Sequence, residues 1–98
     1  MEGAESVTIA MKANGSYKVK LHFMEPKAIG SGKRVFDVML QGETVLPELD
    51  VAHAAGGSRK TIVKEFTVTV KDQILRLEFS AHTEQSAILS GVEWRRLP

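Results

Sequence analysis

Apolar and polar residues alternate with a period of two along most of this chain, and this alternation limits its fold more than any other feature. Successive side chains of a β-strand point to opposite faces, so the pattern predicts strands that are buried on one face. We therefore expect six or seven strands and an all-β fold. The segments whose apolar residues share one parity are 7–11, 17–23, 36–40, 66–70, 75–79 and 88–94.

Glycine-containing turns separate these segments. Asn14-Gly15 predicts a type I′ hairpin that joins the first two strands, and Gln41-Gly42 predicts a second hairpin. Alternation stops between residues 46 and 61, where we expect the longest loop, with a helical turn over 51–55 that Gly56-Gly57 ends. Short strands without intervening helices indicate an antiparallel β-sandwich.

The composition excludes several classes of protein. Ninety-eight residues suffice for one domain, 1–98, and a net charge of +1 gives no field that would attract nucleic acid or an anionic membrane. No apolar run is as long as a membrane span. The absence of cysteine excludes disulfides and thiol catalysis. Residues 1–6 lack the basic and apolar regions of a secretory signal, so no export signal is expected in this chain itself.

The segment Tyr17-Lys-Val-Lys-Leu-His-Phe23, followed by Gly32-Lys-Arg-Val-Phe-Asp-Val38 and the Gln41-Gly42 turn, resembles the malectin and malectin-like family. Later pieces agree in order, and the resemblance covers about residues 14–94. It implies a jelly-roll-like sandwich, here without the first strands of the full domain, that acts as a non-catalytic carbohydrate-binding or accessory module. The segments Leu21-His-Phe23 and Ile88-Leu-Ser-Gly91 are similar to those of family modules that lie beside bacterial glycoside hydrolase domains. This similarity implies an adjacent catalytic domain and a secreted or periplasmic parent protein.

A sugar site needs polar groups for hydroxyls and, usually, an exposed aromatic face. The four phenylalanines share the parity of the core, which leaves Tyr17 and Trp94, at strand ends, as the candidate stacking faces. The resemblance implies sugar-contacting aromatics at positions that Lys27 and Ala28 occupy here, and an acidic contact at Glu84. The candidate site residues are therefore Glu84, His82, Gln85, Lys27, Tyr17 and Trp94. The alternative is that residues 82–86 form a solvated loop.

No pattern in the chain indicates catalysis. Asp50, His53 and Ser58 could be drawn as a hydrolytic triad, but no nucleophile turn accompanies them, and chance composition explains them. The three histidines are about thirty residues apart, without a short metal-ligand pair. We expect no cofactor and no enzymatic activity. A structural calcium ion near Asp37, Glu48 or Asp50 would leave no sequence signature.

A different class of function is also open: a structural module that packs on a neighbouring domain or on a second copy. Four apolar residues lie on the mostly polar parity and would form a docking patch if they cluster: Val35, Met39, Val63 and Leu89. Missing first strands would expose a sheet edge, so a homodimer could form by edge-strand pairing or swapping.

Overall fold

The computed structural model describes residues 6–98 and confirms an all-β fold with seven strands. This range contains one short helix. No helix in it has the length and apolar character that a bilayer crossing requires. The elements are β1 Ser6–Ala10, β2 Gly15–Met24, β3 Phe36–Leu40, β4 Glu43–Leu49, α1 Val51–Ala55, β5 Thr61–Val70, β6 Ile74–Ala81 and β7 Gly91–Arg96.

Two antiparallel sheets form a sandwich. One sheet has the order β1-β6-β3-β4, and the other has the order β5-β2-β7. The β3–β4 connection stays within one sheet, whereas every other connection between described strands passes from one sheet to the other. This crossing pattern produces the predicted jelly-roll-like sandwich, and it makes β5 and β7 the two edges of the smaller sheet.

One predicted hairpin is confirmed and the other is wrong. Gln41 and Gly42 have φ values of 52° and 81°, which a type I′ turn requires, and they join β3 to β4. Asn14-Gly15 does not join a hairpin, because β1 pairs with β6 while β2 pairs with β5 and β7. Gly15 has a φ of 139° and begins β2, and the Asn14 side chain accepts a hydrogen bond from the Gln73 N–H at 2.7 Å.

The core lies between the two sheets, as the alternation predicts. Three of the four phenylalanines are buried, and the fourth, Phe66, is half-buried because it lies on the edge strand β5. Burial of each such side chain stabilises the fold by about 1.5–3 kcal/mol. The apolar residues of this range without exposed surface are Val19, Leu21, Phe23, Phe36, Val38, Leu75 and Leu77.

The segment 46–61 is more regular than predicted. β4 continues to Leu49, and α1 follows with Asp50 as its N-cap, whose Oδ1 accepts a hydrogen bond from the His53 N–H at 3.2 Å. Gly56 ends the helix in the left-handed conformation, so the predicted helical turn is confirmed. The longest irregular stretch between described elements is instead 25–35, between β2 and β3.

The four apolar residues on the polar parity do not form one docking patch. Leu89 is a core residue with 4% of its surface exposed. Met39 and Val63 lie on strands of different sheets. The predicted patch is therefore wrong, because β7 begins only at Gly91 and the segment before it turns Leu89 inward.

Candidate functional site

Two loops meet at the end of the sandwich where β2 and β6 end and β3 begins. These are the loops 25–35 and 82–90. They border a shallow pocket of about 510 Å³, which we call the loop pocket. Its lining residues are Ala28, Ile29, Gly30, Gly32, Lys33, Thr83, Glu84 and Gln85.

Three predicted site residues come together here. Glu84 and Gln85 line the loop pocket, and Lys27 lies beside it with its Nζ donating to Gln85 Oε1 at 3.5 Å. His82 precedes them in the chain, but it does not line the pocket. Its Nε2 is 2.8 Å from Asp37 Oδ1, so the imidazole anchors the loop to β3.

The two predicted stacking residues lie elsewhere. Tyr17 is 5% exposed, and its hydroxyl donates to the Ala13 carbonyl at 2.7 Å, so its ring is part of the core and is not a stacking face. Trp94 lies on β7, pairs with Val19 of β2 and is 43% exposed. Val19 is six residues before Glu25, so Trp94 lies roughly 20 Å along the strand from the loop pocket. None of the described residues that line the pocket is aromatic.

A buried ion pair beneath the loop pocket was not predicted. Arg34 Nε is 2.6 Å from Glu25 Oε2, and Arg34 Nη2 is 3.2 Å from Glu25 Oε1. The two side chains are only 2% and 1% exposed. The sequence contained a signal for their burial. Glu25 has the same parity as the inward-facing residues of β2, and Arg34 has the same parity as those of β3.

Two of the three carboxylates considered for calcium, those of Asp37 and Asp50, already accept hydrogen bonds from the protein. The Glu48 N–H, at 2.8 Å, and the His82 side chain together hold the pKa of Asp37 below its ordinary value of 3.8. Asp50 accepts from the N–H groups of Gly32 and His53. Within residues 6–98, no group of three or more potential metal-binding side chains is found. A structural calcium ion was only an alternative to the expectation of no cofactor, and residues 6–98 contain no preformed cluster for it.

The drawn triad does not assemble. The Asp50 carboxylate is the helix N-cap, and it accepts its hydrogen bond from the backbone N–H of His53 and not from the imidazole. The Ser58 hydroxyl donates to the Ile29 carbonyl at 3.1 Å, which ties the β4–β5 connection to the loop 25–35. These residues have local structural roles that stabilise the loop end of the molecule.

A second concavity lies at the opposite end, between the edges of β4 and β5. This edge groove has a volume of about 560 Å³, and it is slightly larger than the loop pocket. We favour the loop pocket as the site because three predicted contacts converge there, whereas the groove contains none of them. The groove is lined by Leu40, Gln41, Glu43, Val45, Thr67, Val68, Thr69, Lys71 and Asp72.

Comparisons with known proteins identify the family. The family model described as Malectin domain matches residues 5–93. A probable LRR receptor-like serine/threonine-protein kinase of Arabidopsis thaliana is 40% identical over 70 residues, which are 65% of this chain and 7% of that protein. The crystal structure of Bacteroides uniformis beta-glucuronidase matches with a TM-score of 0.84 at 20% identity, over 99% of this chain and 11% of that chain.

A chain in the crystal structure of the plant peptide RALF23 in complex with FER and LLG2 matches with a TM-score of 0.78 at 26% identity, over 91% of this chain and 26% of that one. This chain therefore spans a small part of each of these proteins. The matches are thus a relative that is a receptor-like kinase and a part of a larger enzyme that has a similar fold, and the matching family model is that of a binding module. The chain belongs to the malectin domain family of carbohydrate-binding-type modules.

Proposed function

We propose that this domain is a non-catalytic module that binds a glycan at the loop pocket. The observation that carries the proposal is the convergence of Lys27, Glu84 and Gln85 at one concavity. An ammonium group, a carboxylate and an amide together supply both donors and acceptors for sugar hydroxyls. Gly30 and Gly32 carry no side chain that would keep the sugar from the backbone.

The expected affinity is low. Among residues 6–98, none that lines the loop pocket is aromatic, so these residues provide no ring face for the apolar side of a pyranose. Hydroxyl contacts alone replace equivalent contacts with water and therefore contribute little. We expect a Kd of about 0.1–1 mM for a single site, which several linked copies or a polymeric glycan would strengthen.

The parent protein is proposed to be a secreted or periplasmic carbohydrate-active protein in which this domain stands beside a catalytic domain. The fold similarity to part of a bacterial beta-glucuronidase supports this arrangement. The identity to part of a plant receptor-like kinase supports a receptor ectodomain as the other context. In both contexts the domain contributes adhesion to a glycan and not turnover.

Titration calorimetry with oligosaccharides selected on a glycan array tests the site. Glu84→Ala and Gln85→Ala should each weaken binding by about tenfold, the loss expected when a charged or amide hydrogen-bond partner is removed. Glu43→Ala is the matched control, because this exposed carboxylate lies at the β3–β4 turn, far from the loop pocket. Absence of binding across the array would refute the proposal.

A second candidate function is packing on an adjacent domain or on a second copy. Two large apolar side chains are exposed, Val63 at 49% and Trp94 at 43%, and both lie on edge strands of the smaller sheet. Because Trp94 is the only tryptophan in the chain, its fluorescence would shift when a neighbour covers β7. A homodimer formed by edge pairing or swapping would also show in light scattering, and a strict monomer at high concentration would contradict it.

A further inference from the structure

We propose that the buried Arg34–Glu25 pair is a positioning device that holds both walls of the loop pocket in the arrangement that binds glycan. This inference rests on the proposed function and deepens it, because it names residues that act on the site without contacting the ligand. Glu25 follows the last residue of β2, and Arg34 lies two residues before β3, so the pair closes the base of the loop 25–35.

The guanidinium group reaches both walls. Its Nε and Nη2 bond the two oxygens of Glu25, and its Nη1 donates to the Ser86 carbonyl in the other loop. Ser86 is the immediate neighbour of Gln85, which lines the pocket. A displaced guanidinium would therefore displace Gln85 by way of one peptide unit.

Glu25 holds the first wall in the same way. Its Oε1 accepts a hydrogen bond from the Lys27 N–H at 3.3 Å, and its carbonyl accepts one from the Arg59 N–H at 2.8 Å. The carboxylate thus fixes the backbone of Lys27, whose ammonium group meets Gln85 above the pair. The pair stands at the centre of three chain segments, 25–35, 58–60 and 82–86.

Thermodynamics indicates that stability alone does not account for such a pair. Glu25 and Arg34 are the buried charged side chains of residues 6–98, and no buried polar side-chain atom in this range lacks a partner. Removing two charges from water is costly, and apolar side chains of similar volume often replace a buried pair without loss of stability. Apolar side chains cannot, however, bond the Ser86 carbonyl or the Lys27 N–H.

The decisive experiment separates positioning from stability with the double variant Glu25→Leu/Arg34→Met. We expect its Tm to stay within about 5 °C of the parent domain, because the apolar pair fills the same volume. Glycan affinity by calorimetry should nevertheless fall by about tenfold or more, and amide hydrogen exchange at residues 27–33 and 83–86 should accelerate to a similar degree. The matched control, Lys18→Met/Glu65→Leu, removes a solvent-accessible pair at 3.1 Å and should change neither quantity.

Unchanged affinity and unchanged exchange in a folded double variant would overturn the proposal. If the double variant does not fold, Arg34→Lys decides, because lysine keeps the charge opposite Glu25 but lacks the planar fork that also reaches Ser86. Arg34→Lys should accelerate exchange at 83–86, and its failure to do so would equally overturn the inference. If the unsubstituted domain binds no glycan, the proposed function fails, whereas the exchange measurement still tests the positioning role.

Discussion

The two ends of the sandwich are held together by different chemistry. At the loop end, formed by residues 25–35, 50–60 and 82–90, a buried ion pair connects long segments. At the turn end, formed by residues 11–14, 41–42 and 71–73, neutral side chains bond backbone groups, and the ion pair between Arg76 and Asp72 is exposed to solvent. Asn14 accepts from the Gln73 N–H there, and Tyr17 donates to the Ala13 carbonyl.

The difference follows from the length of the connections. Turns of two to four residues fix their own backbone, so single neutral hydrogen bonds suffice to complete them. A loop of eleven residues has far more conformations to lose, and it adopts one shape only when a strong contact selects it. A bidentate ion pair gives both strength and direction, and it does so at the end where the candidate site lies.

The largest expected effect is the loss of stability when the buried ion pair of the loop end is broken. Arg34→Met leaves the Glu25 carboxylate buried without its partner, which should lower the free energy of unfolding by about 3–5 kcal/mol. Urea denaturation measures this loss. Arg95→Met, at an exposed position on β7, should stay within about 0.5 kcal/mol. A loss below about 1 kcal/mol for Arg34→Met would mean that water reaches Glu25.

Backbone conformation within the loop end gives the next largest effect. Gly32 has a φ of +81°, so Gly32→Ala should cost about 1–2 kcal/mol although no atom lies within 4 Å of the added Cβ. Gly30 is the matched control, since it has equal space but no positive φ. Thermal unfolding of the two variants should differ, and equal melting temperatures would show that the loop adapts freely.

A smaller effect is expected at the turn end. Tyr17→Phe removes the hydrogen bond to the Ala13 carbonyl but keeps the buried ring, so it should lower the free energy of unfolding by about 0.5–1.5 kcal/mol. Glycan affinity should not change, because Tyr17 lies roughly 25 Å along β2 from the loop pocket. Calorimetry on this variant that shows weaker binding would contradict the separation of the two ends.

Acid should weaken both ends, and this is the smallest effect. The pKa of Asp37 is lowered at the loop end, mainly by the Glu48 N–H, and the pKa of Asp72 is lowered at the turn end, mainly by Arg76. A carboxyl with a lowered pKa in the folded state stabilises the fold above its unfolded value of 3.8, and this stability is lost as the pH falls through the folded pKa.

Chemical denaturation between pH 5 and pH 2 should therefore show decreasing stability below about pH 4, where the unfolded chain binds more protons. Asp37→Asn and Asp72→Asn should each flatten part of this decrease. A variant whose profile has the same slope as the parent would show that its carboxyl does not contribute.

Much of the strand pattern was predictable, because alternation states directly which side chains are buried. Val19, Leu21 and Phe23 are inward as predicted, and the Gln41-Gly42 turn has the expected geometry. The Asn14-Gly15 hairpin failed because a turn signal does not say which strands pair. In a sandwich whose connections cross between sheets, β1 finds its partner in β6, more than sixty residues away.

The candidate site was predictable only in part. The resemblance indicated the positions of Glu84 and Lys27, and the fold brings these two residues to one pocket. Tyr17, in contrast, is buried, because it lies on the core-facing side of β2. Arg34 and Glu25 escaped prediction because charged residues beside a loop are usually solvated. Their shared parity with the core residues was the available clue, and only tertiary structure shows that they meet.

Lys64 on β5 affects how this domain associates with other chains. It pairs with Leu21 and therefore lies on the core-facing side of a ten-residue edge strand that contains no proline. A foreign strand that extended the sheet at β5 would carry this ammonium group into a dry contact, and inward-pointing charges of this kind discourage edge-to-edge aggregation. The imperfect inner face of β5 thus acts as a safeguard at high local concentration, and it leaves β7 as the edge more open to specific partners.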